Sequence, residues 1–149
     1  MQEHFWSAIA HNRIFIITLI VWVLAQAAKV VIGFFKEKRF NFRWLIGTGG
    51  MPSSHAAGAS AMATCVGLDQ GFGSTIFAVA ASFAMVTMFD AQGVRRATGQ
   101  QATVLNKMLE DIYWKGQIEE ARLKELVGHT PIQVMAGFIF GIFCAVILY

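Results

Sequence analysis

Lys36, Arg43, Ser53, Ser54, His55, Asp90, Arg95, Arg96 and His129 are the side chains of this sequence whose types and grouping can do chemistry. They crowd into short polar stretches between long apolar runs. Arginine forks hold anionic oxygens in pairs, and a lysine ammonium holds them as a point charge. Serine hydroxyls and the free amides of a helix start do the same, helped by the positive end of the helix dipole. An imidazole that titrates near neutrality can attack, release a proton or take one. Cations, hydroxyls and helix starts together are what a phosphate group needs, and two histidines stand among them.

The stretch "GTGGMPSSHAAGASA", Gly47 to Ala61, shows how such residues are placed. Pro52 and Ser53 suit a helix start, with Ser53 as N-cap. Gly49 and Gly50 free the backbone to approach a ligand. His55 then falls in the first turn. His129 is set up similarly, just before Thr130 and Pro131. Asp90 opens "DAQGVRR", where it either orients a histidine or pairs with Arg95 or Arg96.

The elements that carry these stretches are hydrophobic. The chain has 149 residues, 56% of them hydrophobic and 14% charged, against about 25% charged in soluble domains. Its mean hydropathy is +0.53. This composition predicts one membrane-embedded domain, residues 1–149, of the all-α class. The expected architecture is a polytopic helical bundle with about four transmembrane or membrane-embedded helices. The first runs from Phe15 to Phe35, long enough for a bilayer core of about 30 Å. Lys29 interrupts it. A charge there faces protein, water or the interface, or snorkels to the nearer surface. The second, Ser54 to Leu68, is built of small residues that allow close helix approach. The third spans Thr75 to Phe89 and the fourth Pro131 to Tyr149. Gly137 and Gly141 form a GxxxG pair, a packing signal within or between chains. Cys65 and Cys144 read as small buried hydrophobes.

Between the third and fourth helices, Ala97 to Val127 is polar. Leu105, Met108, Leu109, Ile112 and Tyr113 fall on one face at helical spacing, which predicts an amphipathic cytoplasmic helical hairpin. Four helices put the loops after the first and third on one side of the membrane. That side holds Lys36, Lys38, Arg39, Arg43, Arg95, Arg96, Lys107, Lys115, Arg122 and Lys124, and the other holds Arg13. The positive-inside rule places the cationic side, and the site, in the cytoplasm.

Four blocks occur in order: "KEKRFNFR", "GGMPSSH", "DAQGVRRATGQQA" followed by "LN", and "GHTPIQVMAG". Together they resemble a divergent branch of the type 2 phosphatidic acid phosphatase and vanadium-dependent haloperoxidase superfamily, small bacterial and plant membrane proteins. The resemblance covers roughly Lys29 to Gly141. It implies a membrane phosphatase acting on a phosphate monoester or diphosphate of a lipid, through a phosphohistidine and with no metal or other cofactor. Carried onto this chain, it makes His129 the nucleophile and His55 the general acid. Lys36, Arg43, Ser53 and the amides near Ser54 become phosphate ligands, joined by Arg95 or Arg96. Asp90 is the carboxylate available to orient a histidine.

The third signature departs from the family pattern. Gln133 stands where the pattern has an acid, Leu123 where it has an arginine, and Trp44 replaces a proline. Gln133 can orient an imidazole through its carbonyl but brings no charge. A non-catalytic lipid-phosphate binding or transport component is therefore the alternative. The expected partners are a membrane lipid phosphate and the bilayer, with no nucleic acid. The related enzymes generally use six helices, so a homodimer, through Gly137 and Gly141 or the small residues near Gly58, is a further expectation. The expected location is the inner or plasma membrane of a bacterium.

Overall fold

The computed structural model describes residues 2–38, 50–92, 101–106, 108–109 and 129–149, with the backbone alone at 2–5, 36 and 37. Five helices are delimited: α1 (Gln2–Ala10), α2 (Arg13–Glu37), α3 (Ser54–Gln70), α4 (Thr75–Gln92) and α5 (Pro131–Leu148). The described residues contain no strand, so the all-helical expectation holds. α1 was not anticipated. It ends in a turn at His11, and Asn12 then caps α2 by accepting from Phe15 N–H at 3.0 Å.

Among the described residues three helices, α2, α4 and α5, are long and apolar enough to cross a membrane. α3 is different. Its 17 residues are mostly small rather than strongly apolar. It is also the centre of the bundle, packed by α2, α4 and α5. The expected membrane-embedded helices are thus present, with α2, α4 and α5 packed around a central α3.

Small residues make this arrangement possible. Ala57, Ala61 and Cys65 of α3 meet Ile17, Val21 and Ala25 of α2 and Ala145 of α5. Ala59, Ala63 and Val66, on another face of α3, meet Ala80 and Ala84 of α4. In α5 the buried residues are Val134, Gly137, Gly141 and Ala145, one stripe at spacings of three and four. A Cβ on Gly137 would run into the Ser53 carbonyl, and one on Gly141 into the Ala57 carbonyl and Ser60 hydroxyl. The GxxxG pair therefore seats α5 on α3 within one chain. The Ser60 hydroxyl strengthens the contact by donating to Phe138 C=O at 3.2 Å. Gly58 packs on Trp22 of the same chain.

The outer faces stay apolar. Phe35, Phe83, Phe89, Ile132 and Phe143 are all exposed, as helices immersed in lipid require. Of the predicted hairpin, only 101–106 and 108–109 are described, and both are helical. Leu105 and Met108 are exposed and Asn106 is buried. Ile112 and Tyr113 lie outside the described residues.

Candidate functional site

Four helices contribute to one end of the bundle. α3 and α5 begin there, α4 ends there, and α2 passes through. Ser53 is the N-cap of α3, and its hydroxyl accepts from Ala56 N–H. Thr130 is the N-cap of α5, in a capping box with Gln133. Two backbone bonds tie these starts together. Ser53 N–H donates to Gln133 C=O at 3.1 Å, and His129 N–H donates to Ala91 C=O, near the end of α4, at 3.3 Å.

This strapping brings two imidazoles face to edge. The rings of His55 and His129 lie 6.2 Å apart, centre to centre, at 61°. His129 is 1% exposed, the largest of the fully buried side chains among the described residues. His55 is half-buried. His129 Nε2 and His55 Nδ1 are shielded from solvent.

Gln133 fixes the state of His129. Its side-chain oxygen accepts from Thr130 N–H at 3.0 Å and stands 3.3 Å from His129 Nδ1. A backbone N–H can only donate, so the amide atom facing it is the oxygen. That oxygen can only accept, so Nδ1 carries the hydrogen. In the neutral ring Nε2 then holds the lone pair. The capping box thereby selects the tautomer, through an amide whose orientation the backbone dictates.

Lys29 reaches the same helix start from α2. It extends the buried stripe of Ile17, Val21 and Ala25 at four-residue spacing and is 5% exposed. Its ammonium donates to Gln26 Oε1 at 3.0 Å and to Ser54 Oγ at 3.5 Å. Gly50, at φ 83°, lies against the lysine stem, and a Cβ there would come within 3.0 Å of Lys29 Cγ. Glycine suits the positive backbone angle, and a side chain there would crowd the lysine stem.

A cavity of about 400 Å³ runs from His55 and Ser54 between α2, α3 and α4. Trp22, Leu19, Met62 and Phe83 are among its walls, which are almost wholly apolar.

His55, His129, Ser53 and Ser54, all from the sequence blocks, thus stand at two converging helix starts, with the buried Lys29 beside them. Over residues 10–144 the chain matches the family described as Divergent PAP2. The chain belongs to that family. It is also 43% identical over 137 residues to the uncharacterised membrane protein YuiD of Bacillus subtilis (strain 168), covering 85% of this chain and 87% of the relative. No solved structure matches.

For this Divergent PAP2 protein, the residues read from the sequence fall into three groups. His55, His129, Ser53 and Ser54 come together at the strapped helix starts. Asp90 stands at the expected end of α4, but its side chain is exposed. Among the described residues Asp90 bonds neither histidine, and it is Gln133 that meets the His129 ring. Arg43, Arg95 and Arg96 lie outside the described residues, and Lys36 is described only as backbone of α2. Sequence reasoning missed Lys29 as a site residue. The signal was its four-residue register with Ile17, Val21 and Ala25, hidden because every face of that helix is apolar.

Proposed function

We propose that this protein is a membrane phosphatase that hydrolyses a phosphate monoester or diphosphate of a lipid. His129 Nε2 attacks phosphorus as the bond to the leaving oxygen breaks. His55 gives that oxygen its proton. A phosphohistidine remains on His129. Water, deprotonated by His55, then releases phosphate and restores both rings. The observation that carries this reading is the pair of imidazoles 6.2 Å apart, one with its tautomer set for attack through Nε2. The two helix starts add partial positive charge where the equatorial oxygens would sit. Arg43, Arg95 and Arg96 are the further phosphate ligands in this reading. The cation-rich loops favour a cytoplasmic site.

The apolar cavity supports a lipid as substrate. It starts at His55 and continues between membrane-spanning helices, so a chain seated in it would present its headgroup to the histidines. One observation favours a second reading, a non-catalytic lipid-phosphate binder: Gln133 brings no charge to stabilise an imidazolium.

The test is phosphate release from a panel of lipid phosphates by the purified protein in detergent. Wild type should release phosphate, His129→Ala should not, and vanadate should inhibit. Equal release from both proteins would end the hydrolytic reading. Saturable lipid-phosphate binding with no release from wild type would move the assignment to the binder.

A further inference from the structure

Lys29 presents an electrostatic problem that the phosphate site solves. It lies eight residues before Glu37, the last residue of α2, which puts it about 12 Å in from that end of the helix. Its ammonium points inward to Ser54 rather than outward along the helix. Snorkelling to the surface is therefore not what accommodates it. Among the described residues its hydrogen-bond partners are two neutral oxygens, those of Gln26 and Ser54, and no carboxylate pairs with it. A buried ammonium with no counter-charge is costly, because neutral acceptors replace only part of its hydration. The Gly50 backbone closing over the lysine stem shows that the burial is built in. An ammonium has three donors, and two acceptors leave one for a ligand.

We propose that Lys29 is a phosphate ligand of this protein, binding a phosphate oxygen at the start of α3 beside Ser54 and supplying the innermost cation of the site. The proposal rests on the reading of the His55 and His129 pair as a phosphate site. It adds a residue outside the four sequence blocks and sets the depth at which the phosphate is held. Lys36 stands two turns nearer the end of α2, at the level of the loops. Lys29 holds the anion beside the histidine-bearing helix start.

Inorganic phosphate and orthovanadate are the probes, and thermal unfolding of the full chain in detergent is the first readout. Wild type should show a saturable rise in Tm with either anion. Lys29→Met keeps the length of the side chain and removes the charge. It should melt at or above the wild-type temperature without phosphate, since a buried unpaired charge is gone. It should show no anion-dependent rise at tenfold higher phosphate. A lysine with a merely structural role predicts the opposite pattern, a lower Tm and an intact phosphate response.

An intact response in Lys29→Met overturns the proposal, as does a wild type indifferent to both anions. Should the methionine variant not fold, Lys29→Gln is read by the same criterion. Hydrolysis separates this proposal from the one beneath it. If wild type releases no phosphate but Lys29→Met loses the anion response, Lys29 is a ligand and the protein is a binder. If wild type is active, Lys29→Met should lose about 100-fold or more in kcat/KM, as when one fixed donor to a developing oxyanion is removed. Activity within twofold of wild type would overturn the role of Lys29 and leave the histidine mechanism standing.

Discussion

Replacing Gln133 with glutamate exchanges an amide nitrogen for an oxygen and adds one negative charge beside His129. The capping box survives, since glutamate serves at that position as well as glutamine. Thr130 N–H still has its acceptor, so the helix start and the Tm should change little. The imidazole should change a great deal. The amide oxygen stands 3.3 Å from Nδ1, which puts the new charge about 4 Å from the centre of an imidazolium. At an effective dielectric of about 20 that separation is worth about 4 kcal/mol of attraction. Burying the carboxylate cancels part of it. The added carboxylate should therefore favour the charged imidazolium over the neutral ring. Nitrogen NMR of histidine-labelled protein in micelles reads both the tautomer and the titration. Wild type should carry hydrogen on Nδ1 of His129. Gln133→Glu should keep that tautomer and shift the titration upward. Gln133→Ala should lose the tautomer preference and about 1 kcal/mol of stability, the value of a helix cap. Hydrogen on Nε2 in wild type, or an unmoved midpoint in Gln133→Glu, would refute the assignment of Nε2 as the attacking atom.

Three further outcomes are expected. Gly141→Val should lower stability by about 1–3 kcal/mol or more, because its Cβ meets the Ala57 carbonyl, which cannot move aside; melting in detergent reads this, and an unchanged Tm would contradict the α3–α5 packing. For dispersed, short-chain alkyl phosphates, kcat/KM should climb about fourfold per added methylene, from about 0.8 kcal/mol each, until the cavity beside His55 is filled. Thr87→Trp, in its wall, should flatten that climb; a flat wild-type series would remove the cavity from the lipid argument. At the other end of the bundle, the side-chain amide of Gln70, then the Tyr149 hydroxyl at 2.8 Å, hold the Asp69 carboxyl below its ordinary range. The stability from that contact is present above the ordinary carboxylate range and is lost as pH falls through the depressed midpoint, so the Tm gap between wild type and Tyr149→Phe should close in acid.

The sequence makes the helix starts legible because capping chemistry is local. Ser53 before Ser54 and Thr130 before Pro131 each satisfy orphan amides with their own side chains, and both starts fall where their residue types put them. The small residues of α3 and the GxxxG pair announce close packing for the same reason, that size is a property of the residue. What local pattern cannot show is which side of an all-apolar helix faces inward. α2 has a buried stripe of Ile17, Val21, Ala25 and Lys29, yet hydrophobicity in lipid does not separate inside from outside. Lys29 therefore read as a lysine of undecided direction. Gln133 was noticed for the charge it lacks, and only three-dimensional contact shows its oxygen shared between a cap and a ring. Asp90 was placed by topology, which locates the end of a helix but not the direction of a side chain.

In the proposed reading, the neutral Gln133 has a reason in charge balance. The start of α3 lies as deep as Lys29, because their side chains meet. A phosphate that reaches it must leave the interface for a recess walled by apolar helices, and the recess must supply the compensating charge. Each of the two helix starts offers about half a positive charge, and the ammonium adds one. Together with the arginines of the proposed site they face a phosphate monoester carrying about −1.5 to −2 near pH 7. A carboxylate at position 133 would subtract one of those charges at the place where the anion binds. The amide orients the ring and leaves the recess cationic. This separates two effects of Gln133→Glu that a single activity value would merge. Phosphate should bind more weakly, read as a smaller Tm rise at equal phosphate and a higher KM. Charge on His129 should be better stabilised, read as a faster phosphohistidine step in a single turnover. If binding and the phosphoryl step instead changed in the same direction, charge balance would not be what position 133 controls, and its glutamine would be explained by the cap alone.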